Sequence, residues 1–221
     1  MRALRYSVRA LPVLKYLGQL CIVLALLTLV PLVVSLVLGS YQVALRYSIV
    51  VVGVLVTGFF LRRLPAPKRI QTNEAMVVTT LIFLFAAMVM TWPTMASGLS
   101  FTDALFETIS GVTTTGLSVT ASVTDKPAIF LFSRSWMQWV GGLGIVILAV
   151  ATMIRPGLVA KRIGDLEDYE GDLIGSTRTH ARRVIIVYSI LTGFGIILLG
   201  MLGAGWFNGV IYTLSAVSTG G

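Results

Sequence analysis

The sequence from residue 100 to residue 118 is SFTDALFETISGVTTTGLS, and this segment decides how the fold is interpreted. It is too polar to face lipid, yet it has the pattern of a short amphipathic helix. Ser100 followed by Asp103 resembles a capping box, which predicts a helix start near residue 101. From there to Val112 is about 12 residues, or roughly 18 Å of helix, which is about half of a bilayer. Such a half-helix is tolerated at membrane depth only when it is buried in protein or lines a water-filled cavity.

The run Thr113–Gly116 follows the predicted half-helix and favours a cation. The C-terminal end of a helix carries a partial negative charge. An extended Thr-Thr-Thr-Gly run beyond it can direct backbone carbonyls and hydroxyls at a cation and replace its hydration shell. Glycine can take φ values closed to other residues, which lets consecutive carbonyls face one way. The alternative is a Thr-rich external loop preceded by a short surface helix.

The composition of the 221 residues is that of a membrane protein. Apolar residues make up 56% of the chain and charged residues 12%, with a mean hydropathy of +0.91. These values exclude a soluble globular domain, a disordered chain and a nucleic-acid binder of ordinary composition. One cysteine excludes a disulfide framework and a Cys-based zinc site, and one histidine leaves little room for a His-ligated metal.

Five stretches are long and apolar enough to cross a bilayer as helices, for which about 20 residues are needed. They are residues 20–38, 43–61, 75–93, 135–154 and 184–204. The second contains Arg46 near its start, and the other four carry no charge. Basic residues precede the first stretch as they precede a signal peptide, but its apolar run is too long and no A-x-A site follows it. We therefore predict a retained helix, kinked or weakened at Pro31.

The basic residues predict the orientation of these spans. Before the first span, between the second and third, and between the fourth and fifth lie 14 of the 17 Lys and Arg residues. The alternate connections hold only Arg46, Lys126 and Arg134. Because positive loops stay in the cytoplasm, the N-terminus is predicted to be cytoplasmic, and the net charge of +8 reflects topology rather than nucleic-acid binding.

The half-helix pattern occurs twice, at an offset of 105 residues. Residues 103–116 (DALFETISGVTTTG) align with residues 208–221 (NGVIYTLSAVSTGG), and five of the 14 positions are identical. The same offset carries the third span onto the fifth. An internal repeat of this kind argues against the loop, because a surface loop has no reason to recur in register after a matching span.

The repeated motifs resemble the Trk/Ktr/HKT superfamily of potassium transporters. The resemblance rests on residues 103–116, on RSWMQWVGGLGIVILAV at residues 134–150 and on SAVSTGG at residues 215–221. In that family four helix–pore-loop–helix repeats surround one ion path, and each contributes a selectivity segment with a central glycine. Two helices before the first repeat, at residues 17–61, are similar to the Trk branch more than to the shorter Ktr branch.

The resemblance implies an all-α integral membrane fold with about five transmembrane helices and two re-entrant pore half-helices. It divides the chain into a two-helix membrane domain (1–64), a first repeat (65–158) and a cytoplasmic connection with an incomplete second repeat (159–221). The implied function is uptake of potassium, or another monovalent cation, across the cytoplasmic inner membrane. It involves no enzyme activity and no covalent cofactor. Whether uptake is H⁺ or Na⁺ symport or a gated channel stays open.

Two selectivity segments follow from the resemblance. The first comprises Thr113, Thr114, Thr115, Gly116 and Leu117, and the second comprises Ser218, Thr219, Gly220 and Gly221. The K⁺ ligands are expected at Thr114, Thr115, Gly116 and Thr219. In plant members a serine at the first repeat's glycine goes with sodium preference, so Gly116 is similar to the potassium-selective pattern.

Asp103 and Glu107 are interpreted as the only acidic residues that lie outside the loops. Together with Ser110 they are expected to support the half-helix. Asp103 is predicted to cap it. Glu107 either bonds backbone groups behind the filter or attracts cations near it. Arg134, at the outer start of the fourth span, either anchors the helix at the interface or shapes the electrostatics of the ion path.

Glycines on the later helices are predicted to allow close packing. On the fourth span these are Gly141, Gly142 and Gly144, with a hinge near the ion path as the alternative. On the fifth span they are Gly193, Gly195 and Gly200. The connection over residues 155–183 is interpreted as a solvated linker. The resemblance adds that it is a candidate docking surface for a cytoplasmic nucleotide-binding regulatory subunit. The other implied partners are the lipid bilayer and a second copy of the chain, with no nucleic acid.

The alignment departs from the family at the end of the chain. Gly221 aligns with the filter glycine Gly116, so the second repeat has no closing helix and the third and fourth repeats are missing. We therefore expect these residues to be the N-terminal part of a transporter roughly twice as long. The alternative is a truncated, transport-inactive membrane remnant. An intramembrane hydrolase is disfavoured because His180, the one histidine, lies in a basic connection.

Overall fold

The computed structural model describes residues 8–66, 70–120, 125–153 and 168–220. Within these ranges the regular structure is helical, which confirms the predicted all-α class. The helices are α1 (Ala10–Val37), α2 (Tyr41–Leu61), α3 (Thr72–Thr94), α4 (Phe101–Val112), α5 (Ala128–Met153), α6 (Asp168–Met201) and α7 (Trp206–Val217). A 3₁₀ turn, Met95–Ser97, extends α3.

Four helices in the described ranges are long and apolar enough to cross a membrane. They are Ala10–Val37, Tyr41–Leu61, Asn73–Ser97 and Ala181–Met201, which correspond to the first, second, third and fifth predicted spans. The fourth predicted span forms α5, but α5 is not one of these four. Polar residues lie in its first half, at Ser133, Arg134, Ser135 and Gln138, while the side chains of residues 148–153 at its end lie outside the described part of the chain. The fourth predicted span is therefore present as a helix of 26 residues.

Glycines bring α1 and α2 together. A Cβ atom added at Gly18 would lie 2.6 Å from the backbone nitrogen of Arg62, and one at Gly58 would lie 2.8 Å from the carbonyl oxygen of Gly18. The two helices therefore cross with their backbones in contact, as small residues permit in membranes. α1 continues without interruption through Pro31.

The start of α3 is tied to the residue that precedes α1. Glu74, which is fully buried, accepts hydrogen bonds from Arg9 Nε (2.7 Å) and Arg9 Nη2 (3.1 Å) and from the backbone nitrogen of Gln71 (2.9 Å). The sequence interpretation, which placed Glu74 outside the helices, is therefore wrong. Glu74 lies in the first turn of α3, where its carboxylate also interacts favourably with the positive end of the helix dipole.

The connection between the fourth and fifth predicted spans is partly helical. α6 begins at Asp168, well before the predicted span, so residues 168–183 are helical in backbone. Residues 154–167 of that connection, and the side chain of His180, lie outside the described part of the chain. The predicted regulatory docking surface therefore stays a prediction.

Contacts divide the chain into two compact units. The first comprises Met1–Thr113 and Leu117–Arg134, and the second comprises Thr114–Gly116 and Ser135–Gly221. α1 to α4 belong to the first unit, and α6 and α7 belong to the second. The predicted boundaries at residues 64 and 158 follow the sequence repeat rather than these contacts, and they stay predictions.

The sequence repeat is present in the backbone. α4 and α7 both have 12 residues, and both of their ends are offset by 105 residues. The glycine before each helix has a left-handed φ, 81° at Gly98 and 87° at Gly203. Each half-helix packs on the span before it through a buried threonine. Thr108 Oγ1 lies 3.2 Å from Thr91 Oγ1 in the first case, and Thr213 lies against Gly195 in the second.

Candidate functional site

The first half-helix is capped as the sequence predicts. The Oγ of Ser100 accepts a hydrogen bond from the backbone nitrogen of Asp103 at 3.2 Å and donates one to Asp103 Oδ2 at 2.7 Å. This arrangement satisfies a free N–H of the first turn and places a carboxylate at the positive end of the dipole. The predicted helix, from residue 101 to Val112, is confirmed at both ends.

The backbone after α4 alternates in handedness along the first Thr-Gly segment, Thr113–Leu117. Thr113 has φ −87°, Thr114 has φ 57° and Gly116 has φ 79°, while Thr115 lies outside the left-handed region. Left-handed backbone is natural for glycine but costs about 1–2 kcal/mol at a β-branched residue. Such strain persists only where the surroundings impose it, and it clusters at functional sites.

Hydrogen bonds from α4 and α5 hold the chain that follows Gly116. Glu107, which is 1% exposed, accepts bonds from the backbone nitrogen of Val119 (2.9 Å), from Ser118 Oγ and from Arg134 Nε (3.0 Å). The carbonyl oxygen of Leu117 accepts bonds from Ser110 Oγ (2.6 Å) and Arg134 Nη2 (3.1 Å). The exit of the segment is therefore fixed by a buried, charge-assisted network.

These contacts bear on two alternatives that the sequence left open. Arg134 is only 9% exposed and pairs with Glu107. The two carboxylate oxygens of Glu107 both accept hydrogen bonds from protein groups. The pairing favours a structural role for Glu107, bonding backbone groups behind the segment, and the functional roles of both residues stay predictions.

Two predicted filter residues make hydrogen bonds within the protein. The carbonyl oxygen of Leu117 accepts bonds from Ser110 and Arg134, and the Leu117 side chain is 62% exposed. The hydroxyl of Thr113 donates to the carbonyl oxygen of Ile109 at 2.7 Å. The assignment of Thr113–Leu117 to a selectivity segment stays a prediction.

The second Thr-Gly segment comprises residues 218–221, of which the structure describes Ser218, Thr219 and Gly220. Thr219 has φ 57°, the value of Thr114 at the equivalent position. The backbone nitrogen of Gly220 donates to the carbonyl oxygen of Ser215 at 3.0 Å, which closes the end of α7. The carbonyl oxygen of Gly220 accepts a bond from Gln138 Nε2 at 2.9 Å. Gly221 lies outside the described residues.

Of the glycines on α5, Gly142 makes the close approach that the sequence predicts. A Cβ atom there would lie 2.9 Å from Tyr188 Oη and 3.0 Å from Ser218 Cβ. Gly141 is buried and Gly144 is half-buried. The contacts of Gly142 support packing against the end of the second half-helix.

The glycines of α6 divide into two groups. Gly195 lies against Thr213 and Gly200 against Trp206, each so closely that a Cβ atom would be 2.6 Å from the neighbouring side chain. Packing is therefore confirmed at these two positions. Among the described residues no atom lies within 4 Å of a Cβ added at Gly193, so the predicted close packing is not found there.

Sequence reasoning missed Gln138, whose side chain is fully buried on α5. The signal was available, because a polar amide in a hydrophobic helix is costly in a membrane unless it has a specific partner. Among the described residues there is no group of three or more His, Cys, Asp or Glu side chains that could hold a metal ion.

Comparison with known proteins gives the family. The profile of the family TrkH, described as cation transport protein, matches residues 20–221. The uncharacterized cation transporter MJ1485 of Methanocaldococcus jannaschii is 31% identical over 95% of this chain and 44% of its own length. The Trk system potassium uptake protein TrkH of Halomonas elongata is 29% identical over 95% of this chain and 45% of its own length.

The fold agrees with the sequence match. The crystal structure of the potassium transporter TrkH from Vibrio parahaemolyticus superposes with a TM-score of 0.74 at 21% identity. That match covers 91% of this chain and 42% of the other. The chain thus spans less than half the length of these relatives. Its family is one of transport proteins rather than enzymes, as the sequence predicts. The chain is a multi-pass membrane protein that belongs to the TrkH family of cation transport proteins.

Proposed function

We propose that the chain is part of a transporter that takes up K⁺ through selectivity segments made of backbone carbonyls and threonine hydroxyls. One observation carries the proposal. Two 12-residue helices, α4 and α7, each end in a segment whose second residue is a left-handed threonine, at Thr114 and Thr219. Relatives from Halomonas elongata and Escherichia coli are named as potassium uptake proteins, which supports K⁺ as the transported ion.

The chemistry of each segment suits a weakly hydrated cation. The C-terminal end of a half-helix contributes a partial negative charge of roughly half an electron. Alternating backbone handedness over Thr114 and Gly116 turns successive carbonyls toward one side. The proposed K⁺ ligands are oxygens of Thr114, Thr115, Gly116 and Thr219. The carbonyls of Leu117 and Gly220 accept hydrogen bonds from Arg134 and Gln138 and are not proposed as ligands.

The surroundings of the transporter are also proposed. The charge bias of the connections supports an N-terminus in the cytoplasm and a location in the inner membrane. The family resemblance supports a homodimer with a cytoplasmic nucleotide-binding regulatory subunit. Coupling to H⁺ or Na⁺, as in a symporter, and conduction as a gated channel are both compatible with a carbonyl filter.

The test is ion uptake by the complete protein whose reading frame contains these residues. Sequencing the DNA beyond the codon for Gly221 defines that frame. The product is then expressed in a bacterium that lacks its own K⁺ uptake systems, and Rb⁺ uptake and growth at low K⁺ are measured. Uptake that saturates with K⁺ and that Na⁺ competes for only weakly supports the proposal. A stop codon directly after Gly221 and no uptake would establish the alternative, a transport-inactive membrane remnant.

A matched control is the 221-residue chain expressed alone. It should insert into the membrane and move no Rb⁺, because one and a half repeats cannot surround an ion. Transport by this chain alone would overturn the requirement for further repeats.

A further inference from the structure

Gln138 joins α5 to both ends of the turn that follows α7. Its Oε1 accepts a hydrogen bond from Ser215 Oγ at 2.7 Å, and its Nε2 donates to the carbonyl oxygen of Gly220 at 2.9 Å. The side chain has no exposed surface. Gln138, on α5, therefore links the last turn of the half-helix α7 to the second Thr-Gly segment.

The chemistry of this bridge requires an amide. The carbonyl oxygen of Gly220 can only accept, so the NH₂ group of Gln138 has to face it and the amide oxygen has to face Ser215. Ser215 must then give its single proton to Gln138. Ser135 Oγ lies 3.0 Å from Ser215 Oγ and is the second hydroxyl partner of Ser215. With a carboxylate at residue 138, two hydrogen-bond acceptors would face each other at Gly220. An aliphatic side chain would leave the carbonyl oxygen of Gly220 without this donor, and Ser215 would keep only its contact with Ser135.

Gly220 is shaped to receive this amide. A Cβ atom there would lie 2.9 Å from Gln138 Cδ and 3.0 Å from Gln138 Cγ, which is closer than real contacts allow. Its φ lies outside the left-handed range, so the backbone itself does not demand glycine. The position is glycine because the amide needs the space.

The two peptide groups that flank Gly220 are held by different partners, the first by the backbone of Ser215 and the second by Gln138. The N–H of Gly220 points at the carbonyl oxygen of Ser215, at 3.0 Å. Because the peptide is planar and trans, the carbonyl of Thr219 points the opposite way, away from the last turn of α7. The next carbonyl, that of Gly220 itself, is turned onto Gln138. Without this bond the glycine peptide would be free to rotate.

We infer that Gln138 is a positioning residue for ion selectivity: it fixes the carbonyl of Gly220 and so limits movement of the turn that presents the carbonyl of Thr219. The inference rests on the proposed function and adds a residue that does not touch the ion. Discrimination between K⁺ and Na⁺ depends on the placement and field of filter carbonyls. Loss of the bridge should therefore change selectivity more than it changes the amount of protein in the membrane.

The experiment compares Gln138→Glu and Gln138→Leu with Thr192→Val in the complete transporter. Thr192 is the matched control, since its Oγ1 accepts a 2.9 Å hydrogen bond from Trp139 on the same helix and touches neither Ser215 nor Gly220. The readout is the ratio of K⁺ to Na⁺ uptake at equal membrane levels. Both Gln138 variants should lower the ratio roughly tenfold, the equivalent of one buried hydrogen bond. Thr192→Val should stay within about twofold of wild type.

A further variant keeps the test decisive if either Gln138 variant fails to accumulate. Ser215→Ala removes the partner of the amide oxygen without changing α5, and it should lower the ratio in the same direction. In the double variant of Gln138→Glu with Ser215→Ala, the losses should be less than additive because they act through one bridge. Wild-type ratios in the variants that accumulate would overturn the inference. The proposed function would fail separately, through absent K⁺ uptake in the wild-type protein.

Discussion

Thr114 and Thr219 lie 105 residues apart and share a φ of 57°, a left-handed backbone that threonine rarely adopts. Each stands two residues after a 12-residue helix that ends at Val112 or Val217. The same strained backbone therefore occurs at equivalent positions of both repeats, which indicates that it is a feature of the repeat itself. It also makes these two residues the natural targets for mutation.

Replacing Thr114 by glycine should separate strain from function. Glycine removes the left-handed penalty, so thermal stability in detergent should hold or rise by up to about 1 kcal/mol. The freed backbone and the lost hydroxyl should nevertheless lower the ratio of K⁺ to Na⁺ uptake by the complete transporter. Thr79→Gly, in the interior of α3, is the control and should destabilise the protein, since glycine weakens a helix. A stable Thr114→Gly protein with unchanged selectivity would contradict a filter role for this residue.

Replacing Gly116 by serine should weaken discrimination of K⁺ against Na⁺ without abolishing membrane insertion. The φ of 79° at Gly116 suits glycine and strains any residue that carries a Cβ atom. Serine is also the residue that, in plant members of the Trk/Ktr/HKT superfamily, replaces this glycine when sodium is preferred. The measurement is the ratio of K⁺ to Na⁺ uptake at matched expression. Unchanged ion preference with normal expression would remove the filter assignment.

Breaking the buried pair of Glu107 and Arg134 should destabilise the protein severely. Glu107→Gln leaves Arg134 buried without its counter-charge, and such losses cost about 3–5 kcal/mol. Arg46→Gln is the matched control, because the contact of Arg46 with the carbonyl oxygen of Trp92 is exposed and its loss should cost less than about 1 kcal/mol. Thermal unfolding of the purified protein measures both. Equal stabilities for the two variants would show that the pair contributes little.

The crossing of α1 and α2 should be intolerant of side chains at Gly18. Alanine there would place a Cβ atom 2.6 Å from a backbone nitrogen, and overpacking of this kind costs about 1–3 kcal/mol. Gly53→Ala on the same helix pair has no atom within 4 Å of the new Cβ, so it should be neutral or stabilising by up to about 1 kcal/mol. A thermal shift assay distinguishes the two. Comparable melting temperatures would mean that the helices can separate without cost.

Replacing Gly220 by alanine should reproduce the Gln138 variants. The added Cβ atom would displace the amide from the carbonyl oxygen of Gly220, while the backbone conformation remains open to alanine. The ratio of K⁺ to Na⁺ uptake should fall by a similar factor. Combining Gly220→Ala with Gln138→Leu should add little further loss, because the bridge is already broken. Fully additive losses would show that the two residues act independently.

The features that the sequence alone determined are local ones. The bounds of α4, its serine cap and the 105-residue repeat follow from capping chemistry and hydrophobic period, which act over a few residues. The four apolar spans follow equally well, since solvation by lipid depends on composition along a single helix. For the same reason α6 is predicted as a membrane span but not as a helix that begins as early as Asp168.

Tertiary structure decided which polar groups meet. Arg134 reaches Glu107 across 27 residues, Arg9 reaches Glu74 across 65, and Gln138 reaches Gly220 across 82. Each pairing satisfies a buried polar group that would otherwise cost several kcal/mol in a membrane. No short-range pattern encodes these partners, because a hydrogen bond depends on where folding brings two side chains and not on their distance along the chain. That is why composition revealed a membrane protein, while only the fold revealed which buried polar groups are hydrogen-bonded to each other.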